Sequence, residues 1–504
     1  MVVGIDIGGT NTDIAIIHED IETLKLPNEL GFGEILKRLS EKVDLSKEKL
    51  VISTSIPLNL VVSKYHEIPT LTLLIPGCGL NYSSHGIILE GYVNHRGDVV
   101  ENLDSEKVES IVKSYVNQYK NVAIVGKFSV RNPQLELKVY EIARRYFKDK
   151  DIALSYHLGE LNYPLRINTT ILNAKIKSAV YELTGLVKKY SDNFFYYKGD
   201  GGIIPYHVAL ENPSLLYNSS AAAVAFGAYY LSKMKNALVI DIGGTTTDFV
   251  LLENGYPKLL NKVEIAGKKT LVRCVDSISI PYGGDSLIDK DIKPERLDKP
   301  VAFGGKHLTL TDALNCIGFE IGNHKKSLEV WKDKIGDLSL AQTAVDKFIS
   351  TVCEIIESFD ANIIIGTGYL AKYIIPMVSE KMGIKYTIPE HHEAANAVGV
   401  AISKISLTLY ARYDTERGKT VYNGEIFKCE FKKGSIPDDD EIINAASEKV
   451  KELAREFGAD EDDLDKIKVL YFNSYTVVRG GVKRGKIADV VVQIEPGISS
   501  RFLS

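Results

Sequence analysis

The stretch VIDIGGTTTDFVLL (residues 239–252) repeats, with few changes, the stretch GIDIGGTNTDIAII near the start of the chain (residues 4–17). Each copy has an Asp at the end of an apolar run, then a Gly-Gly-Thr turn, then a second apolar run that begins with Thr-Asp. Glycine lets the backbone approach a bound group closely, and successive N–H groups in such a turn form a concave anion site. The repeat therefore predicts two β-hairpins whose turns grip a polyphosphate from both sides.

The repeated pattern also predicts which residues carry the chemistry. Asp6 and Asp241 end their strands, where a carboxylate is placed to bind a Mg²⁺ ion that bridges phosphate oxygens, so we expect them to be metal ligands and catalytic. Asp13 and Asp248 either lie behind the metal site or pair with a lysine across the hairpin, and we favour the structural role. The backbone and hydroxyl groups of both turns are expected to bind the phosphates, at Gly8, Gly9, Thr10, Asn11, Thr12, Gly243, Gly244, Thr245 and Thr246.

Composition excludes several other classes of protein. The chain has 504 residues, enough for two or three domains, and its net charge of −5 gives no reason to expect nucleic acid or an anionic membrane as a partner. Its five cysteines are scattered and form no C-x-x-C pair, which favours a reducing compartment. The strand pattern begins at Val2 without a basic leader, so we expect a cytoplasmic protein.

Strand and helix patterns alternate along most of the chain, which is typical of an α/β protein. Residues 215–233 (LLYNSSAAAVAFGAYYLSK) predict a strand end, a serine cap and a helix of small residues. From residue 405 the pattern changes to alternating strands with a turn at Asn423-Gly424 and a helix over 441–457. We expect a first lobe over residues 1–220, a second lobe over 221–404 with an insertion at about 257–336, and a small α+β domain over 405–504.

The two hairpins resemble the phosphate-binding elements of the ASKHA superfamily, which includes actin, sugar kinases and chaperone ATPases. The resemblance implies duplicated ribonuclease-H-like lobes with an ATP-binding cleft between them. It also implies a glycine-rich turn for the adenosine, which IIIGTGYLAKY (residues 363–373) fits through Gly366, Gly368 and Tyr369. A helix N-terminus with little side-chain bulk suits a ribose or purine, although a purely structural helix cap is the alternative.

Further blocks are similar to the hydantoinase/oxoprolinase family, the A-type subunit of N-methylhydantoinase and its relatives. Together with the two hairpins, these blocks extend the resemblance from residue 1 to about residue 404. They are RINTTILNAKI (166–176), YKGDGGI (197–203), IPYGGDSLI (280–288) and PEHHEAANAVGVA (389–401).

This resemblance implies ATP- and Mg²⁺-dependent opening of a small cyclic amide such as a hydantoin or 5-oxoproline. Phosphoryl transfer to the amide oxygen would make the ring carbon open to attack by water, and it needs positioning and charge neutralisation more than covalent help. For the organic substrate we expect Asp200, also catalytic, together with Asp285, Ser286 and Arg166. Turn formation is the competing role for the acidic residues, and an ion pair with Glu160 is the competing role for Arg166.

Two other functions fit the same motifs. A small-molecule kinase would release a stable phosphorylated product, and a reactivating or regulatory ATPase would use slow turnover to act on a partner protein. A B-type hydantoinase subunit is the partner that the resemblance implies, and a homo-oligomer is left open.

Overall fold

The structure is a computed structural model that describes residues 1–503, except for the side chains of residues 56–58 and 60. Ser504, the last residue of the expected C-terminal domain, lies outside the described residues. Within the described residues, no helix is both long enough and apolar enough to cross a membrane.

The first part of the chain forms two sheets. One has the strand order β12-β11-β4-β1-β2-β3, and the other has the order β10-β9-β5-β6 with all its pairs parallel. Their elements, with the short hairpin β7–β8, are β1 Val2–Ile7, β2 Asn11–Ile17, β3 Ile21–Pro27, α1 Phe32–Ser40, β4 Lys49–Thr54, α2 Ile56–Ser63, β5 Thr70–Ile75, β6 Ile87–Ile88, β7 Tyr92–Val93, β8 Val99–Glu101, α3 Ser105–Tyr115, β9 Asn121–Gly126, α4 Gln134–Ala143, β10 Ile152–Leu154, α5 Tyr163–Val187, β11 Phe194–Tyr197, β12 Ile203–Pro205 and α6 Tyr206–Glu211.

The middle part contains a third sheet, with the order β15-β14-β13-β23-β24 and with β20 paired to β14. The expected irregular insertion consists of short strand pairs followed by helices. The elements are α7 Ser219–Ser232, β13 Ala237–Ile242, β14 Thr247–Glu253, β15 Tyr256–Pro257, β16 Leu259–Asn261, β17 Glu264–Ile265, β18 Lys268–Lys269, β19 Arg273–Val275, β20 Ile278–Ile280, β21 Ile288–Asp289, β22 Asp291–Ile292, α8 Leu310–Cys316, α9 His324–Lys334, α10 Ser339–Ile356, β23 Ile363–Thr367, α11 Ala371–Met382, β24 Lys385–Thr387 and α12 Ala395–Ala401.

The strand order β3-β2-β1-β4-β11 of the first sheet matches the order β15-β14-β13-β23-β24 of the third. In both, the hairpin strands are antiparallel, and the strand that follows across the sheet is parallel to the first strand of the hairpin. The outer strands also correspond, with one antiparallel pair at the hairpin edge and one parallel pair at the other edge. The repeated sequence thus forms the same five-strand arrangement twice.

Helices α7 and α12 pack against each other in a core that also includes Val51 and Val239 from the two large sheets. Gly227 of α7 and Gly399 of α12 allow this contact, because a Cβ on Gly227 would lie 1.8 Å from the Ala395 carbonyl oxygen. The run of alanines in α7 is therefore a helix–helix contact surface.

The strand end and the serine cap predicted at the start of residues 215–233 are wrong. Residues Pro213–Leu216 form a 3-10 helix, and the cap position of α7 is Asn218 in a left-handed conformation. The Asn218 side chain makes no capping hydrogen bond to the helix, and its Nδ2 donates to the Val275 carbonyl and to Ser277 Oγ.

The last part forms a five-stranded antiparallel sheet, in the order β27-β26-β25-β29-β28, with one helix against it. The predicted turn at Asn423-Gly424 is confirmed, since both residues have positive φ angles of 48° and 86°. The elements are β25 Thr408–Asp414, β26 Lys419–Tyr422, β27 Glu425–Lys428, α13 Asp439–Glu456, β28 Ile467–Arg479 and β29 Val482–Ile494. Buried residues of this sheet belong to the same apolar cluster as α7 and α12.

Candidate functional site

The turn between β1 and β2, residues 8–10, is referred to below as turn I. It is closed by a hydrogen bond from the Gly8 N–H to the Asn11 carbonyl, at 3.0 Å. Asn28, which follows β3, donates from Nδ2 to the Gly8 carbonyl at 2.7 Å and accepts from Thr12 Oγ1 at 2.8 Å. This asparagine fixes the conformation of turn I from the neighbouring strand.

The turn between β13 and β14, residues 243–246, is referred to as turn II. The Gly243 N–H donates to the Thr246 carbonyl at 3.0 Å, which repeats the closure of turn I. The GGDS segment (residues 283–286) runs along turn II, with the Gly284 N–H on the Gly243 carbonyl and the Asp285 N–H on the Gly244 carbonyl. Turn II is therefore supported by backbone bonds to the insertion.

The two turns face each other. A Cβ on Gly9 would lie 3.5 Å from Thr245 Oγ1, and a Cβ on Gly244 would lie 3.2 Å from Thr10 Oγ1. Thr10 Oγ1 also donates to Asp285 Oδ2 across the gap, at 3.3 Å. The glycines and hydroxyls that the sequence predicted to bind phosphate are thus brought together from segments far apart in the chain.

A cluster of four carboxylates, referred to as the carboxylate cluster, lies at the base of these turns and consists of Asp6, Asp13, Asp241 and Asp248. Asp6 is 1 % exposed, and burial raises its pKa to about 6, with the charge of Asp13 adding to the effect. Burial also raises the pKa of Asp241 to about 7, again with a carboxylate neighbour, Asp248, adding to the effect. Both aspartates that the sequence assigned to the metal are therefore in places where a nearby positive charge would stabilise their ionised forms.

Two side chains, those of Lys25 and Asn396, contact carboxylates of the cluster. Lys25 of β3 forms an ion pair with Asp13 at 2.7 Å, donates to the Glu393 carbonyl at 3.3 Å, and lowers the pKa of Asp241 through its charge. Asn396 of α12 donates from Nδ2 to Asp6 at 2.7 Å and to Asp13 at 3.3 Å. The predicted pairing of Asp13 with a lysine across the hairpin is confirmed.

The donor set of the carboxylate cluster suits Mg²⁺. Over residues 1–503, no three His, Cys, Asp or Glu side chains converge as a preformed metal site. Mg²⁺ does not require one, since it usually keeps several waters and binds through one or two carboxylates together with phosphate oxygens. Asp6 and Asp241, with their raised pKa values and few positive neighbours, fit that mode of binding.

The glycine turn at residues 366–369 lies beside Asp241. Thr367 donates to Asp241 Oδ1 at 2.9 Å, and Gly368 has a φ of 82° and a place for its missing Cβ 2.4 Å from the Ile242 carbonyl oxygen. The Tyr369 hydroxyl is 2.8 Å from Thr311 Oγ1, and Thr311 in turn donates to the Gly284 carbonyl. The glycine turn, turn II and the GGDS segment therefore form one connected surface. Gly366 lies beneath it and is buried against Ile375.

Asp285 and Ser286, predicted to contact the organic substrate, lie where this surface meets turn I and turn II. Asp285 is 3 % exposed and bonds to Thr10 and to Arg296, the latter at 3.1 Å. Ser286 accepts the Gly283 N–H at 2.9 Å. Both side chains contact groups that surround the two turns.

Asp200 and Arg166 are buried elsewhere in the molecule. Asp200 forms an ion pair with Lys198 at 3.1 Å and accepts the Gly202 N–H. The Arg166 guanidinium is fully buried and donates to Ser129 Oγ, Ser155 Oγ and the Gly126 carbonyl.

The expected ion pair of Arg166 with Glu160 is not formed. Glu160 instead pairs with Lys262 at 3.0 Å, and the carboxylate that interacts with Arg166 is that of Glu136. These partners bind Asp200 and the two terminal nitrogens of Arg166, while Arg166 Nε has no hydrogen-bond partner among the described residues, and both side chains are buried away from solvent.

Five residues of the site were not found from the sequence. Lys25, Thr367 and Asn396 lie in strands or motif blocks but have no spacing that distinguishes them. None of the five residues belongs to the repeated stretch, so a single sequence holds no signal for them. They are Lys25, Asn28, Arg296, Thr367 and Asn396.

Comparison with protein families gives two matches. Residues 166–323 match the family model described as Hydantoinase/oxoprolinase, and residues 78–147 match the Hydantoinase/oxoprolinase N-terminal region. The first range contains turn II and the GGDS segment, and the second covers much of the parallel four-stranded sheet. Turn I lies outside both ranges.

Curated relatives are matched at low identity. An uncharacterized protein of Methanocaldococcus jannaschii is 25 % identical over 55 % of this chain and 47 % of its own length. The acetophenone carboxylase gamma subunit of Aromatoleum aromaticum is 24 % identical over 63 % of this chain and 53 % of its own length. The chain thus spans about half the length of these curated relatives.

Two solved structures share the fold. A nucleotide-free acetone carboxylase structure is 16 % identical with a TM-score of 0.71, and covers 99 % of this chain and 88 % of that chain. The ATP-dependent caprolactamase of Pseudomonas jessenii is 17 % identical with a TM-score of 0.64, and covers 97 % of this chain and 86 % of that chain. The mixed α/β fold with several sheets is therefore one found in these two structures.

Proposed function

We propose that this chain, a member of the hydantoinase/oxoprolinase family, uses ATP to phosphorylate the carbonyl oxygen of a small cyclic amide and so activates the ring for opening. The observation that carries the proposal is the juxtaposition of turn I and turn II above the carboxylate cluster. We also propose that the two matching five-strand arrangements are the duplicated ribonuclease-H-like lobes of an actin-like ATPase, with the nucleotide between them.

The residues of the site have distinct roles in this proposal. The N–H groups and hydroxyls of turn I and turn II bind the phosphates, and the glycine turn at residues 366–369 binds the adenosine. Asp6 and Asp241 would hold Mg²⁺, which would neutralise charge on the phosphate oxygens. Lys25 holds the Asp13 carboxylate in place and Asn396 orients Asp6, because each donates to the carboxylate in question.

The chemistry needs positioning and charge neutralisation above all. The γ-phosphoryl group leaves ADP and forms a P–O bond with the amide oxygen, so that water can add to the ring carbon. The C–N bond then breaks as the nitrogen takes a proton, which leaves an acyl phosphate, and a second water hydrolyses this acyl phosphate to a carboxylate and free phosphate. Names of relatives support this choice, since one is a caprolactamase subunit alpha and another is a carboxylase gamma subunit.

Those names also support a division of labour. We propose that this chain carries the ATP-dependent activation and works with a second, B-type subunit. Asp200 and Arg166 are assigned to the scaffold, because their polar groups are used by internal partners. The substrate then approaches turn I and turn II from the side of Asp285.

The experiment measures ADP formation by the full chain with Mg²⁺ and ATP, with and without hydantoin, 5-oxoproline or caprolactam. We expect ADP and free phosphate in equal amounts, formed only when a cyclic amide is present. Replacing Asp241→Ala should abolish this reaction and leave the far-ultraviolet circular dichroism unchanged.

The alternatives give different products in the same experiment. A kinase would form a stable phosphorylated compound without free phosphate, and a regulatory ATPase would hydrolyse ATP whether or not an amide is present. A carboxylase would form ADP only when bicarbonate is added with a ketone. Any of these three outcomes would contradict the proposal.

A further inference from the structure

The carboxylate of Asp285 lies in a position that suits a phosphate. Its Oδ2 atom accepts from Thr10 Oγ1 of turn I and from Arg296 Nε, and the same atom would lie 2.8 Å from a Cβ on Gly244 of turn II. The carboxylate is therefore an anion held between the two turns by a hydroxyl and a guanidinium, which are also the donors that proteins use for phosphate.

We infer that Arg296 is a phosphate-binding residue that binds either Asp285 or the terminal phosphate of ATP, so that the Asp285 carboxylate and that phosphate compete for its guanidinium. The inference rests on the proposed nucleotide site and assigns a cation to it. It also makes Asp285 a competitor of the nucleotide, because both bind Thr10 and Arg296.

Arg296 is free enough to make this exchange. Its side chain is 30 % exposed, whereas that of Asp285 is 4 % exposed and is held by the backbone bond from the Asp285 N–H to Gly244. The guanidinium can therefore swing through solvent while the carboxylate stays in place. Its planar fork of N–H donors matches two phosphate oxygens, which a lysine ammonium does not.

The segment that carries Arg296 reaches across the gap at a second point. Lys299 forms an ion pair with Glu29, which follows β3 in the first part of the chain, at 3.3 Å. This second contact is exposed and does not touch turn I or turn II. Lys299 thus provides a control that tests whether Arg296 acts on phosphate or only anchors the segment.

Competition between Asp285 and the nucleotide predicts effects of opposite sign. Asp285→Asn keeps the shape of the side chain but removes its charge, so Arg296 is released and ATP should bind more tightly. Arg296→Met keeps most of the stem but removes the donors, so ATP should bind more weakly. A purely structural ion pair would instead make both variants change ATP affinity in the same direction.

The experiment titrates the full chain with Mg·ATP and Mg·ADP and measures amide-dependent ADP formation. For Asp285→Asn we expect an ATP dissociation constant lower by about fivefold, and for Arg296→Met one higher by about tenfold, with ADP affinity changed less than about twofold. In Arg296→Met, kcat should fall by about 10³-fold, and Arg296→Lys should recover part of the binding and little of kcat. Lys299→Met should stay within about twofold of the parent chain in both measurements.

Three results would overturn the inference. They are a shift of both variants in the same direction, an Arg296→Met variant that loses ADP and ATP affinity equally, and a Lys299→Met variant that loses as much as Arg296→Met. A parent chain that binds neither nucleotide would overturn the proposed nucleotide site itself, and this outcome is distinct because it precedes any comparison of variants.

Discussion

Asp6 lies directly opposite Asp13 in the register of the first hairpin, and the second hairpin repeats the relationship with Asp241 opposite Asp248. Each pair places two carboxylates side by side at the base of a glycine turn. Burial, with the like charge of the neighbouring carboxylate added to it, raises the cost of ionisation and so raises the pKa values of Asp6 and Asp241. A divalent cation bound between the hairpins would offset that cost.

The first prediction concerns the pH dependence of stability without Mg²⁺. The folded-state pKa of Asp6 is raised from 3.8 to about 6 and that of Asp241 to about 7, so the folded protein binds more protons than the unfolded chain between these values and pH 4. The free energy of unfolding should therefore fall as the pH rises from about 4, and level off above about 7. The share of Asp6 is about 3 kcal/mol.

Thermal denaturation of the metal-free chain between pH 4 and pH 8 checks this prediction. Asp6→Asn should show a shallower fall than the parent, because its amide does not titrate. Addition of Mg·ATP should restore stability most strongly at pH 8. A stability that rises over the same range by an equal amount in both proteins would show that these carboxylates are not the controlling groups.

The second prediction concerns Lys25, which forms an ion pair with Asp13 and whose charge also lowers the pKa of Asp241. Replacing Lys25→Met should raise the pKa of Asp241 further, weaken Mg·ATP binding at pH 7 by several-fold, and reduce amide-dependent ADP formation by about 10²-fold. Lys42→Met is the matched control, because Lys42 forms an exposed pair with Glu22 of the same β3 strand at 3.2 Å. We expect Lys42→Met to keep the Mg·ATP affinity and the ADP formation of the parent. Equal losses in both variants would contradict the role proposed for Lys25.

The third prediction concerns the contact between α7 and α12. A Cβ on Gly227 would lie 1.8 Å from the Ala395 carbonyl oxygen, so Gly227→Ala should destabilise the protein by about 3 kcal/mol or more. Gly185 in α5 has no atom within 4 Å of the same position, so Gly185→Ala should stabilise by about 0.5–1 kcal/mol. Chemical denaturation of both variants checks the pair, and a neutral Gly227→Ala would show that the two helices are not in close contact.

Local patterns allowed much of the fold to be predicted from the sequence. The hairpins, the Asn423-Gly424 turn and α13 each follow from a few neighbouring residues, and α13 differs from its prediction only by beginning at Asp439 and ending at Glu456. The start of α7 could not be predicted, because the side chain of Asn218 at its cap position bonds to Val275 of β19 and to Ser277, which follows that strand, and both come later in the chain. Local cap preferences do not include such contacts.

The candidate site could be predicted only in part, for a similar reason. Glycine turns with Asp and Thr indicate phosphate binding by themselves, whereas Lys25 and Asn396 gain their roles only when folding brings them to the carboxylate cluster. Asp200 lies on a glycine-rich turn like Asp285, yet its turn packs inside the protein against Phe226. The sequence patterns GDGG (199–202) and GGDS (283–286) are much alike. Tertiary packing decides that only the second lies beside turn I and turn II.

The most direct measurement of the central claim is a crystal structure of the chain with Mg²⁺ and a non-hydrolysable ATP analogue. We predict that the triphosphate lies between turn I and turn II, with the Mg²⁺ ion on the side of Asp6 and Asp241. A nucleotide bound elsewhere, with Thr10 and Gly244 still in contact and no ion near the carboxylate cluster, would contradict the account.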